Sequence, residues 1–171
     1  VGGSFGNDYL NLFIGRTRQA FGNGVTGNLI IGDNFTYQEV AKLSVFTNVF
    51  SYHLSLTHYD NAEKGESFRF DTKHQSRTIQ RLDFNINNKL RFAINIGAHI
   101  YSNSMFDWRM IMPMMLVHNW NNNSEKTVLE PGDEINNILG LEAEWVINRK
   151  LMLTAQVAID QFRLPVENES V

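Results

Sequence analysis

The 171-residue chain carries 15 Lys plus Arg against 18 Asp plus Glu, a formal charge of −3, so no polybasic surface offers itself to nucleic acid. Cysteine is absent, which excludes a disulfide framework, a thiolate metal site and a thiol nucleophile. No run of about 18 apolar residues occurs, so no transmembrane helix is predicted. A hydrophobic content of 43 % at a mean hydropathy of −0.27 suits a β-barrel with half of each strand in water, and suits an ordinary globular protein equally. The length is enough for one domain with its own core, and residues 1–171 read as a single β-barrel domain or a fragment of one. The first residue is Val and no basic, then apolar, leader is visible, so the chain reads as processed, trimmed or a fragment.

Residues 8–18 (DYLNLFIGRTR) predict a strand running into the glycine-rich bend Phe21-Gly22-Asn23-Gly24. Residues 27–32 and 37–47 predict further β segments, split by the turn pair Asp33-Asn34. Residues 49–59 alternate, with Phe50, Tyr52, Leu54 and Leu56 against Ser51, His53, Ser55, Thr57 and Tyr59. Residues 60–73 are charged and without period, which predicts a long loop.

The clearest hairpin spans residues 78–101 (TIQRLDFNINNKLRFAINIGAHIY). Leu82, Phe84 and Ile86 share one face and Arg81, Asp83 and Asn85 the other. After the turn Asn87-Asn88-Lys89, Leu90, Phe92, Ile94, Ile96, Ala98 and Ile100 oppose Arg91, Ala93, Asn95, Gly97, His99 and Tyr101. A period of two sustained over about eleven residues is the length at which a tilted strand crosses a bilayer. Residues 108–120 (WRMIMPMMLVHNW) predict a strand bulged or kinked at Pro113, and residues 119–133 a loop. A second hairpin follows, with Leu139, Leu141, Ala143 and Trp145 against Gly140, Glu142 and Glu144. It turns at Asn148-Arg149-Lys150 and returns through Leu151, Leu153, Ala155, Val157 and Ile159, opposite Met152, Thr154, Gln156, Ala158 and Asp160.

Both hairpins turn in about three residues, at INNKL and INRKL, whereas the connections on the opposite side are long, which is the pattern of an outer-membrane barrel. The predicted fold is therefore an all-β antiparallel meander of about 8 to 10 strands, a transmembrane barrel of outer-membrane type that is complete or part of a larger one. Helix signals are nearly absent, and residues 38–43, the best helical candidate, are assigned to a strand. Glu142 and Glu144 on one face need water or cations, and a polar lumen supplies both. The alternative is a soluble β-barrel with its apolar faces inward, binding a small apolar ligand.

No catalytic constellation emerges. His53 and His58 are five apart, on opposite faces of a strand, and do not share a metal. Phe21-Gly22-Asn23-Gly24 lacks the Lys-Ser/Thr of a phosphate loop and suits a tight bend or an inward constriction loop. His118, beside Asn119 and Trp120, fits an interfacial position. The polar candidates for lumen-facing ion pairs or glycan contacts are Arg16, Arg81, Asp83, Arg91, Asn95, His99, Arg109, Glu142, Glu144 and Asp160. Tyr52, Tyr59, Trp108, Trp120 and Trp145 suit an aromatic girdle or stacking on sugars. No catalytic residue, metal or cofactor is assigned, and the expected function is non-enzymatic.

The series Gly15-Arg16, Phe21-Gly22-Asn23-Gly24 and Gly27-Asn28-Leu29; Gln80-Arg81-Leu82-Asp83-Phe84; Met112-Pro113; Asn137-Ile138-Leu139-Gly140; and Ile159-Asp160-Gln161-Phe162 resembles, in order and rough spacing, the Wzi-type capsule-assembly family of outer-membrane β-barrel proteins. Gly97-Ala98-His99 stands where that family usually has an acidic residue. The resemblance implies residence in the outer membrane of a diderm bacterium and a role in attaching or assembling capsular polysaccharide at the surface; a barrel by itself also allows porin-like passage. Its members are larger barrels of about eighteen strands, so the chain corresponds to about half a barrel. The implied partners are outer-membrane lipid, surface polysaccharide and further strands or chains that close the sheet, since an open edge is not tolerated in lipid.

Overall fold

The structure is a computed structural model and describes residues 1–22, 27–30, 37–59, 74–102, 108–111 and 134–160. Within these, eight strands form one antiparallel sheet: β1 Gly2–Gly6, β2 Leu10–Thr17, β3 Gln38–Phe46, β4 Phe50–Tyr59, β5 His74–Asn87, β6 Leu90–Ser102, β7 Glu134–Asn148 and β8 Leu151–Asp160. Each strand pairs with its neighbours in sequence, in the order β1 to β8. Among the described residues β1 and β8 pair on one side only, so the sheet is not closed.

Four tight turns lie on one rim, and each is built by a side chain that replaces a backbone partner. Asn7 Oδ1 accepts from the Tyr9 and Leu10 amides, both at 2.9 Å. Thr47 Oγ1 accepts from Phe50 N at 3.0 Å, and Asn87 Oδ1 from Lys89 N and Leu90 N at 2.8 and 2.9 Å. Asn148 Oδ1 accepts from Lys150 N at 2.8 Å. The two related hairpins share more than a turn residue, because the register slips between Asn85 and Asn87 in one and between Val146 and Asn148 in the other. The repeated Asn-x-Lys-Leu is thus the signature of one bulged turn used twice. The connections that leave the opposite rim span 18–37, 60–73 and 103–133.

Because side chains alternate across the pleat, register assigns each residue to a face. One face carries Ile14, Ala41, Leu56, Leu82, Ile94, Leu141 and Val157; the other carries Lys42, His53, Arg81, Asp83, Asn95, Glu142 and Gln156. Their burial is opposite to that of a soluble sheet. Ile14, Trp145, Leu153 and Val157 on the apolar face are 60, 52, 51 and 55 % exposed, whereas Arg81, Asp83 and Asn95 on the polar face are 5, 1 and 0 % exposed. The apolar face is covered at the long-connection end of β4 to β6, where Met110 packs on Ala98, Ile100 and Leu56.

The sheet curls around its polar face, as the segment that follows β2 demonstrates. Gln19 Nε2 donates to Thr57 Oγ1 at 3.1 Å and Gln19 Oε1 accepts from Ser55 Oγ at 3.0 Å, both on β4. Three residues later Gly22 meets the side chains of Asn28 and of Gln156 on β8. On a flat sheet β4 and β8 would lie roughly 19 Å apart at about 4.8 Å per strand. Three residues reach only about 10 Å, and side chains stand perpendicular to a flat sheet. Curvature brings the two strands within reach.

Three expectations need correction. Residues 27–30 are not strand but part of the inward segment, because their polar groups bond to the sheet's side chains instead of to a ladder. Trp108–Ile111 is a 3-10 turn on the apolar face, not the start of a strand; residues 112–120, with Pro113, His118 and Trp120, lie outside the described residues. β1 was not expected at all, since Gly-Gly-Ser-Phe-Gly has no apolar period and is held only by its pairing with β2. The expected loops at 60–73 and 119–133 also lie outside the described residues.

Candidate functional site on the polar face

The polar face is organised by Arg81 at the centre of β5. All five guanidinium N–H groups find acceptors. Nε and Nη2 donate to the two carboxylate oxygens of Asp83 at 2.9 and 2.8 Å. Nη1 and Nη2 donate to the two oxygens of Glu142 at 2.6 and 3.1 Å, and Nη1 also donates to Asn95 Oδ1 at 3.2 Å. Asn95 Nδ2 returns a hydrogen bond to Glu142 Oε1 at 3.1 Å. The network therefore ties β5 through β6 to β7. Two bidentate carboxylates on one guanidinium form a rigid fork, which a lysine cannot reproduce.

Around this core, Arg91 Nη2 approaches Asp83 Oδ1 at 3.4 Å, and His53 Nε2 lies 3.8 Å from Asp83 Oδ2. His53 Nδ1 pairs with Ser44 Oγ at 2.9 Å, which carries the network to β3. Glu144 stands opposite Arg91 in register. Arg81, Arg91 and Lys42 balance Asp83, Glu142 and Glu144 in formal charge. A cluster this saturated is a brace across five strands, and its carboxylates are committed to cations rather than poised as an acid and base pair.

The second feature is the inward segment formed by residues 19–22 and 27–30. Phe21 packs on Ile79, with Ile30 against the same pair. Lys42 Nζ lies 5.1 Å from the Phe21 ring centroid, a cation–π contact. Gln156 holds the other end, accepting from Leu29 N at 3.2 Å and donating to Asn28 Oδ1 at 3.0 Å. Glycine stands where the segment touches the sheet. A Cβ on Gly140 would run into the Ile30 side chain, and Gly22 has φ +123°, a conformation L side chains rarely adopt. Beside the segment a cavity of about 420 Å³ is lined by Phe13, Phe46, Lys42 and His53 among others.

The third feature is an aromatic and cationic group at the end of the polar face nearest the long connections. The ring centroids of His99 and Tyr101 are 4.9 Å apart and stacked, and those of Tyr59 and His99 are 5.5 Å apart. The Arg77 guanidinium lies 5.4 Å from the Tyr59 centroid, and its Nη2 donates to Gln38 Oε1 at 3.2 Å. Gln75 Nε2 is 2.8 Å from His99 Nε2.

Of the residues singled out from sequence, Arg81, Asp83, Arg91, Asn95 and Glu142 meet in one network, with Glu144 beside it and His99 in the aromatic group. Arg16 does not join them. It follows Ile14 on the apolar face, opposite Glu39, because strand parity overrides the charge. Arg109 lies in the 3-10 turn and Asp160 at the last position of β8, and their side chains are outside the described residues, as is that of Trp108. Tyr52 and Trp145 lie on the apolar face, where Tyr52 Oη donates to Gln80 Oε1 at 3.0 Å. Tyr59 is on the polar face, so the girdle role falls away for it and stacking remains. His53 and His58 are on opposite faces, as the spacing predicts.

Gln19, Lys42, Ser55, Ile79, Arg77 and Gln156 were missed. The available signal was Gly140 at a polar-face position of a long strand, which marks close approach by another segment. Among the described residues no three His, Asp or Glu converge to hold a metal ion, and no helix is long and apolar enough to cross a membrane, which says nothing of strands. The class defined by these features is an all-β antiparallel meander with a braced polar interior. No protein-family model matches the chain, and no curated protein or solved structure shows significant similarity to it.

Proposed function

We propose that the chain forms a lipid-embedded, non-enzymatic strand wall of outer-membrane type that serves the attachment or assembly of surface polysaccharide. The observation that carries this reading is the inverted burial of the outer strands: Ile14, Trp145, Leu153 and Val157 on the apolar face are exposed, whereas the opposite face holds the buried Arg81 network. A bilayer is the solvent that tolerates such a face, and strands of 13 to 15 residues in β5, β6 and β7 are long enough to cross it. The soluble ligand-binding alternative needs its apolar side chains on the buried face, where Arg81, Asp83 and Asn95 lie instead.

Within the membrane reading, polysaccharide contact is favoured over open passage. The segment of Gln19, Phe21 and Ile30 crosses the polar face and fills space that a conducting lumen would need. The group of Tyr59, Arg77, His99 and Tyr101 faces the long connections, offering rings that match the apolar faces of sugars and a guanidinium that matches a uronate carboxylate. The open edges at β1 and β8 call for further strands, from the same or another chain.

Fractionation of the native protein followed by gel mobility with and without boiling tests the reading. Recovery with outer membranes and a heat-dependent shift is expected, together with loss of cell-bound polysaccharide when Tyr59 and Tyr101 are both replaced by Ala. Recovery in the soluble fraction without a shift would overturn it.

A further inference from the structure

The cavity of about 420 Å³ beside the inward segment lies over the polar face of β2 to β4. Cross-strand rows build its floor, with Phe13 opposite Lys42 and Asn11 opposite Ser44, which in turn faces His53. Gln19 and Phe21 bound it where the segment crosses to β4 and β5. Arg18, the first residue beyond β2, is exposed and lines the same space, so the cavity reaches the rim of the long connections. Its charge is one-sided: Lys42, Arg18 and His53 line it, and no Asp or Glu does. Lys42 is half-buried, yet no carboxylate among the described residues lies within ion-pair distance of its ammonium, whose contact is the Phe21 ring. Asp83 and Glu142 give their oxygens to Arg81 instead.

We propose that this cavity binds one uronic acid unit, its carboxylate on Lys42 and the apolar face of its pyranose ring against Phe13 and Phe46. The inference deepens the glycan reading and rests on it for the class of ligand. An ammonium that is partly withdrawn from water, with three donors and no acceptor, is completed by an anion, and a carboxylate does so through charge-assisted hydrogen bonds. Phe13 and Phe46 flank Lys42, one opposite it on β2 and the other four residues on along β3, and the Phe46 ring is exposed. Asn11 Nδ2 donates to Ser4 Oγ at 2.9 Å, while its Oδ1 takes no hydrogen bond among the described residues and is left to accept from a sugar hydroxyl. A fatty acid would match the rings and the ammonium but not this amide, and a neutral sugar would match the rings and the amide but not the ammonium. A sugar acid matches all three, in a space of the size small-molecule sites take.

The test titrates the intact protein in mild detergent with glucuronate, methyl glucoside and acetate, read by saturation-transfer NMR. Glucuronate binds roughly tenfold tighter than methyl glucoside, the scale of one charge-assisted contact, and equimolar acetate does not displace it. Lys42→Met keeps the apolar stem and removes the charge, so the two sugars then bind equally. Phe46→Ala, at an exposed site, weakens both sugars alike; it carries the test if Lys42→Met loses the heat-dependent mobility shift, and unchanged binding in it overturns the inference. An octasaccharide of alternating glucuronate and N-acetylglucosamine identifies the source, and either result supports the site: tighter binding than the monosaccharide marks a polysaccharide chain, weaker binding a free sugar acid. Equal binding of glucuronate and methyl glucoside to the wild type overturns the inference, as does displacement by acetate, which marks an adventitious anion only. If the double variant at Tyr59 and Tyr101 nevertheless loses cell-bound polysaccharide, the glycan reading survives that failure; if it does not, both fall.

Discussion

Replacing Glu142 by Ala removes both acceptors of Arg81 Nη1 and Nη2 on that side, at 2.6 and 3.1 Å, and the acceptor of Asn95 Nδ2 at 3.1 Å. Arg81 keeps Asp83, so the guanidinium is left half-paired at a site that is 5 % exposed. Breaking a buried pair from one side costs about 3–5 kcal/mol, because the remaining charge loses its partner and gains no water. Arg81→Ala should cost more than Glu142→Ala, since it strands two carboxylates; Asp83 is then left with Arg91 at 3.4 Å and His53 at 3.8 Å. Glu142→Gln retains the shape and one carbonyl acceptor and should cost about 1–3 kcal/mol. The assay is urea unfolding in lipid vesicles, read by folded and unfolded gel bands. Losses below about 0.5 kcal/mol for both Ala variants, the range of exposed pairs, would refute the claim that the network is a buried brace.

Ile94 sits between Leu82 and Leu141 on the apolar face. Ile94→Arg should cost about 2–4 kcal/mol in a bilayer while Arg91→Ser is tolerated; the same urea titration reads both. Gly140→Val should push Ile30 off the sheet and expose the inward segment to protease without unfolding β7 or β8. Asn87→Ala and Asn148→Ala each remove a turn acceptor and should lower stability by about 1 kcal/mol apiece, adding within error because the two turns share no partner.

The long strands were legible because alternation is a direct consequence of the pleat, and in β4, β6 and β8 it runs without interruption. The repeated Asn-x-Lys-Leu turns were legible for a similar reason, since their geometry is set within four residues. The Arg81 network was visible only in outline. Parity puts Arg81, Asp83 and Glu142 on one face, but the fork that spans three strands depends on registers set by the turns. Arg16 shows how the reading goes astray: its charge argues for water, while its parity with Ile14 fixes it on the apolar face. The inward segment was less accessible still. Residues 27–30 have strand-like composition, and it is tertiary partners distant in sequence, Ile79 on β5, Gly140 on β7 and Gln156 on β8, that draw them across the sheet. β1 and the 3-10 turn carry no periodic signal, because each is held by tertiary partners rather than by its own pattern.

The central claim is that the exposed apolar face meets lipid. The most direct test places single tryptophans at the adjacent positions Val157 and Ala158 of β8, in a background whose 3 native tryptophans are replaced by Phe, in vesicles of brominated lipid. Val157 shares its face with Leu141, and Ala158 its face with Gly140. The account predicts strong quenching at Val157 and weak quenching at Ala158. Equal exposure of both to aqueous iodide, with no quenching by lipid at Val157, would contradict it.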